Sequence, residues 1–472
     1  MKKEDIYDGI TEIREDIVEE AREKKRNRWG FRLGAVAAVV AVAIFVQTVF
    51  HPFEKSPMVT CAVAAEAVYP ELAPYPEERI FSTEADWEEW NKEVEAWNAS
   101  MEALRVESFS NDSIADFLQA TAPALLSGED NTLYSPANIY IAMSMLAELS
   151  GGDTRQEVLD LLGADSLEEQ RSRANALWRN CYTNDLASTT LANSLWMDQE
   201  ITYVQDTLNT LASEYYASSF YGTMGSKEYD AQLQSWMNEQ TGGLLKKQIS
   251  DQHMSDLTVM ALVSTLYYAA SWVEKFESTA PDTFHGLRED SQCDFMYHEE
   301  EGMLWHGKQF SAYGRELINS GRFYVILPEE GKTPSDLLED PEVLDFLTDP
   351  YSMPNAFAQI NFKMPKLDLT AQLDLKGTME ELGVKKVFDR RVADYTPLTE
   401  VADIALTEFQ HGIRLTVDED GCVGAAYTLS LLEAESADIE ETRIDFFVDR
   451  PFLLLLTSQT GIPLFVGAVN QL

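Results

Sequence analysis

The sequence predicts an α+β domain built on at least one large sheet, and two patterns carry that expectation. Apolar residues recur at helical spacing through 139–149 and 203–216, whereas Phe323–Leu327 and Phe452–Leu456 are short unbroken apolar runs, as in strands buried on both faces. Length agrees: 472 residues exceed one average domain and can bury a large core. The formal net charge of −44 argues against a nucleic-acid or heparin-type polyanion partner, because it repels such chains over most of the surface. Four cysteines, Cys61, Cys181, Cys293 and Cys422, are too sparse for a disulfide framework and show no metal-ligand pairing, so they read as free thiols.

From the N-terminus, residues 1–30 form a tail with Ile6, Ile10, Ile13 and Ile17 on one narrow helical stripe. Residues 31–50 follow, with the uncharged run Leu33 to Phe50 about long enough to cross the hydrocarbon core as a helix. Arg22, Lys24, Lys25, Arg26, Arg28 and Arg32 crowd its N-terminal side and only Lys55 stands close beyond it, which places the N-terminus in the cytosol and exports the rest. The nearest small-residue cleavage pattern, Ala62-Val63-Ala64, lies well past the apolar run, so the segment reads as an uncleaved anchor rather than a signal peptide. Residues 51–104 mix Pro70, Pro74 and Pro76 with a stretch holding Trp87, Trp90 and Trp97; they read as an extracytoplasmic extended tether whose later part can form a helix. The main domain is expected over 105–472.

Near its C-terminal end lies a loop with the composition of a strand. From Gly421 to Leu432 there is no charge and no proline, and the alternate residues Cys422, Gly424, Ala426, Thr428 and Ser430 are all small. Successive strand side chains point to opposite faces, so this set could slide inward over a core without clashes. Proline would remove a ladder hydrogen bond and an inward charge would need a partner.

At these residues the chain resembles the serpins, protease inhibitors whose reactive loop inserts into a central sheet after cleavage. Leu415-Thr-Val-Asp-Glu-Asp-Gly421 is similar to the family's strand and hinge, and Asp449-Arg450-Pro451-Phe452 to its exit strand. Further blocks follow the family's order: Tyr134 to Ile139 with Gly152 to Leu159, Leu262 to Tyr268 with Trp272 and Phe276, Thr283-Phe284-His285, Asn361 to Lys366, Leu382-Gly383-Val384, and Pro463 to Gly467. The resemblance implies a large central mixed sheet, additional sheets and about eight or nine helices, preceded here by the transmembrane helix. It implies a reactive loop over about 419–447 with a hinge at Glu419, Gly421, Cys422, Val423, Gly424, Ala425 and Ala426. It places a polar cluster of Ser135, Asn138, Ser264 and His411 where two strands must part, and Trp272 where the loop enters. The chain departs from the family by exchanging amide and hydroxyl between Asn138 and Ser264, and by carrying Cys422, Val423 and Gly424 in the hinge.

The implied function is suicide inhibition of a serine, less often a cysteine, protease, with the inhibitor tethered to the cell membrane. Family spacing puts the scissile bond sixteen residues beyond Glu419, at Glu435–Ser436. Leu432–Glu433 is the rival, and Arg443 ranks third because cutting there would carry Glu433, Glu435 and Asp438 into the inserting strand. A non-inhibitory binding or envelope-sensing module is the alternative. No enzyme is expected: there is no Gly-x-Ser-x-Gly elbow, phosphate-cradling glycine loop or Cys-x-x-Cys pair. His298-Glu299-Glu300-Glu301 lacks the spacing of His-Glu-x-x-His and reads as a solvated acidic loop, so neither metal nor cofactor is expected.

Overall fold

The computed structural model describes residues 62–70, 72–73, 75–76, 83–106, 109–184, 187–244, 253–256, 258–422 and 443–472. Among them are ten α-helices, where the family resemblance implied eight or nine; two of the ten are single turns or little more. They are α1 (Glu84–Leu104), α2 (Asp112–Leu126), α3 (Pro136–Leu149), α4 (Gly152–Leu162), α5 (Leu167–Cys181), α6 (Gln205–Glu214), α7 (Lys227–Gln240), α8 (Pro334–Leu337), α9 (Pro341–Thr348) and α10 (Lys376–Glu381). The periodic stretches 139–149 and 203–216 fall on α3 and α6, as expected. Every residue of α3 is buried, which is why its sequence shows no polar face. Ser135 caps it, its hydroxyl accepting from Asn138 N, and Pro136 occupies the first turn, where its missing N–H costs nothing.

Among the described residues the central sheet has eight strands: β1 (Ala62–Ala65), β3 (Thr183–Asn184), β4 (Ser188–Asp198), β5 (Ala217–Gly222), β6 (Met260–Ser271), β12 (Leu367–Asp374), β13 (Glu408–Val417) and β14 (Gly421–Cys422). Their order is β1-β5-β4-β6-β14-β13-β12, with β3 on β4. The sheet is mixed, since β4–β5 and β6–β13 are parallel while β4–β6 and β12–β13 are antiparallel. All twelve residues of β6 are buried, and apart from Ser264, Thr265 and Ser271 they are apolar.

The second sheet, also mixed, has nine strands among the described residues: β2 (Thr132–Tyr134), β7 (Ser278–His285), β8 (Asp290–His306), β9 (Phe310–Glu316), β10 (Arg322–Pro328), β11 (Asn355–Pro365), β15 (Arg443–Phe447), β16 (Phe452–Thr457) and β17 (Pro463–Val469). The apolar runs 323–327 and 452–456 are β10 and β16, paired antiparallel with Phe323 opposite Leu456. Among the described residues, the only parallel pair of this sheet joins β15 to β11, Arg443 opposite Gln359.

The stretch expected as an extended tether departs from that reading. β1 pairs antiparallel with β5, Val68 N donates to Ala212 O at 2.9 Å, and the Tyr69 ring lies 5.6 Å from that of Trp178. Helix α1 is held to α5 by Arg179, whose Nε donates to Leu104 O at 2.6 Å. Extended, proline-punctuated chain satisfies a sheet edge as readily as it spans a gap, and here it covers the edge of β5. The packed domain therefore begins at or before Ala62. The expected anchor at 31–50 lies outside the described residues, among which no helix is long and apolar enough to cross a membrane.

Candidate functional site

The arrangement that bears on function lies between β6 and β13. These strands pair directly, and parallel, only where Glu408–Gly412 face Ala261–Thr265. Beyond Val417 the chain turns back on itself: Asp418 Oδ1 accepts from Asp420 N at 3.0 Å and Gly421 N at 3.2 Å, while Asp418 N donates to Gly421 O at 3.0 Å. The returning residues form β14, seated between the parted ends of both neighbours and antiparallel to each. Cys422 stands opposite Val417 on one side and Ala270 on the other, and Gly421 opposite Ser271. The hinge is thus already the first rung of a new central strand.

The fit is tight. A Cβ on residue 421 would lie 2.3 Å from Ala270 O, so only glycine passes without displacement. Cys422 is fully buried, and burial, with a lesser contribution from the Asp418 charge, pushes its thiol well above the usual range; it is an inert packing group. Small size at the inward position 422 is what the sequence pattern required.

A second group of contacts fastens the turn. Trp272 N donates to Asp420 O at 3.1 Å, Phe276 N to Glu419 O at 3.3 Å, and Trp272 Nε1 to Asp418 O at 2.8 Å. Lys366 pairs with Glu419, holding that carboxyl below its ordinary value, and Lys275 pairs with Asp420 at 2.7 Å. Trp272 is buried edge-on to Phe276 and Phe323, with the Arg315 guanidinium 5.1 Å from its ring centre. These contacts place Trp272 against the turn at Asp418–Asp420.

The polar cluster lies where β6 and β13 are zipped. His411 Nε2 accepts from Ser135 N at 3.1 Å, and Asn138 Nδ2 donates to Thr265 O at 2.6 Å, tying α3 to both strands. Burial pushes the His411 imidazole down to about 3, opposed only in part by the Ser264 backbone, so the ring is neutral and free to accept. Ser264 stands opposite His411 in register, but its hydroxyl has no hydrogen-bond partner. In its place Asn193 on β4 donates to Asn138 Oδ1 at 3.1 Å. Asn193 was not singled out from sequence, although an amide within the small and apolar residues of β4 demands a partner.

Three sequence expectations change. Arg443 belongs to β15, where its main chain pairs with Gln359 and its guanidinium with Glu299 at 3.1 Å, so the loop ends before it rather than at 447. His298, Glu299, Glu300 and Glu301 are not a solvated loop but part of β8, with His298 buried. Of the cysteines, Cys181, Cys293 and Cys422 are free thiols, Cys61 lying outside the described residues. Val423, Gly424, Ala425, Ala426, Leu432, Glu433, Glu435 and Ser436 also lie outside them.

A family model described as Serpin (serine protease inhibitor) matches residues 112–472. The chain belongs to the serpin family. Serpin-ZX of Arabidopsis thaliana is 25% identical over 366 residues, covering 73% of this chain and 93% of that protein. The plasma serine protease inhibitor of Mus musculus is 26% identical over 356 residues, covering 72% and 85%. The solved native structure of tengpin, a thermophilic serpin, superposes with a TM-score of 0.70 at 20% identity, covering 79% of this chain and 98% of that one. Serpins are in general protease inhibitors rather than catalysts, and membership of the family supports a function of that general type.

Proposed function

We propose that this serpin is a membrane-tethered suicide inhibitor of a protease, serine-type before cysteine-type. The observation that carries the reading is β14: Gly421 and Cys422 already pair with both β6 and β13, antiparallel to each. A strand continuing from Cys422 along this line replaces the parallel β6–β13 pairing by two antiparallel ladders, which are the more stable kind. Gly421 to Leu432 offer no charge or proline to stop it. When a protease acylates itself on the loop, insertion outruns hydrolysis and drags the enzyme along. The proposed bond is Glu435–Ser436, with Leu432–Glu433 as the rival. The apolar run Leu33 to Phe50, with its basic flank, supports a single-pass anchor with a cytosolic N-terminus and the inhibitor domain outside the cell membrane.

Incubation of the full-length protein with a panel of serine and cysteine proteases tests this. A complex that survives denaturing electrophoresis, with a released peptide beginning at Ser436 by mass spectrometry, is the expected result. Cleavage by every active protease without any trapped complex overturns it.

A further inference from the structure

We propose that Glu274, His298 and Glu300 form a site for a divalent cation of the zinc class, and that the bound ion clamps the segment to which the hinge is fastened. His298 and Glu300, two residues apart on β8, face the same side, and Glu274 reaches them from the segment just beyond β6. One ligand atom from each lies within 4.8 Å of the others. His298 Nε2 is 3.2 Å from Glu274 Oε2 and 3.7 Å from Glu300 Oε2. Ligands bonded at about 2.1 Å to a tetrahedral ion are separated by about 3.4 Å, within this range. Nitrogen with two carboxylate oxygens is a donor set for zinc; calcium needs six to eight oxygens.

A second observation concerns the far side of the imidazole ring. The His298 side chain is only 9% exposed, and its Nδ1 makes no hydrogen bond but faces Glu277 Oε1 at 3.4 Å. A carboxylate on the far nitrogen is the arrangement that orients a metal-bound imidazole and leaves Nε2 unprotonated toward the ion. Arg315 takes Glu300 Oε1 through Nε and reaches Oε2 only at 3.4 Å, leaving that oxygen available. The carboxylates of Glu274, Glu277 and Glu300 surround the ring, with the Arg315 guanidinium on Glu300 as their neighbouring cation.

The position gives the site a role. Residues 272–277 are stitched to the hinge at Trp272 N–Asp420 O and Phe276 N–Glu419 O, and to β9 and β8 at Val273 N–Glu316 O and Glu277 N–Tyr297 O. An ion joining Glu274 to β8 restrains the strip that must give when β14 moves. The binding itself does not depend on the inhibitory reading.

Titration calorimetry of the detergent-solubilised full chain with zinc chloride is the test. One zinc per chain is expected, with affinity lowered at least tenfold by Glu274→Gln and lost in His298→Asn, and Glu277→Gln weakening it about 10–100-fold through ring orientation. Glu274 is 63% exposed, so its variant folds even if that of His298 does not. Zinc affinity unchanged by Glu274→Gln, or equal affinity for calcium, overturns the site. For the clamp, zinc should slow alkylation of Cys422, followed by peptide mass spectrometry, in the native chain and not in Glu274→Gln. Equal rates with and without zinc overturn the clamp.

Discussion

His411 shows how one buried side chain couples the sheet to pH. Its imidazole is held to about 3 by burial, against an ordinary value of 6.5. As pH falls below 6.5 the unfolded chain takes up this proton and the native state does not, so stability falls with pH across the window from 6.5 to about 3. At 1.36 kcal/mol per pH unit, the loss attributable to this ring at pH 5 is about 2 kcal/mol. Replacing it by asparagine, whose amide oxygen can still accept from Ser135 N, should flatten that part of the profile. Urea unfolding at pH 7 and pH 5 reads the difference: His411→Asn loses about 2 kcal/mol less than the native chain on acidification. An equal loss in both would mean that other groups carry the acid sensitivity.

At the scale of the element, β14 is a two-residue strand whose existence depends on Gly421. Any side chain there drives against Ala270 O, and the turn can relieve the overlap by leaving the sheet. Gly421→Val should therefore expel the hinge, and the buried Cys422 is a built-in reporter of that event. Its alkylation rate should rise by an order of magnitude or more over the native chain, while Cys181, which is buried elsewhere, should not change. Unchanged Cys422 reactivity would show that the sheet accommodates the valine by shifting β6 instead.

These elements were unequally visible in the amino-acid order. Strands β10 and β16 could be read because burial leaves short continuous apolar runs, and helix α3 because its apolar residues recur at helical spacing. The seating of β14 could not, since two residues make no periodic signal and their placement follows from pairing with strands distant in the chain. The docking of β1 on β5 was hidden for a related reason: proline-rich extended chain has the same composition whether tethered in solvent or laid along an edge. Asn193 and the His298 group escaped because their partners, Asn138 and Glu274, are brought near only by the sheets.

For the whole molecule, the proposed insertion requires a native state held short of its most stable strand order. The β6–β13 contact is a brief parallel pairing, and the loop beyond Cys422 offers about ten further residues able to form ladders on both sides. At about 0.5–1.5 kcal/mol net per hydrogen bond, insertion is worth on the order of 10 kcal/mol, comparable to the whole stability of an ordinary domain. Spread over the unfolding entropy of a domain this size, that corresponds to a rise in Tm on the order of 10 °C. Limited proteolysis within 423–442 should raise the melting temperature by that amount. Ala426→Glu supplies the control, because in an inserted strand position 426 would share the inward face of Cys422 and a carboxylate there would be buried without a partner. The variant should still be cut in the loop, yet melt within a few degrees of its uncut form. Scanning calorimetry of cut and uncut samples of both chains decides the matter. Equal gains in the two would place the stabilisation somewhere other than between β6 and β13.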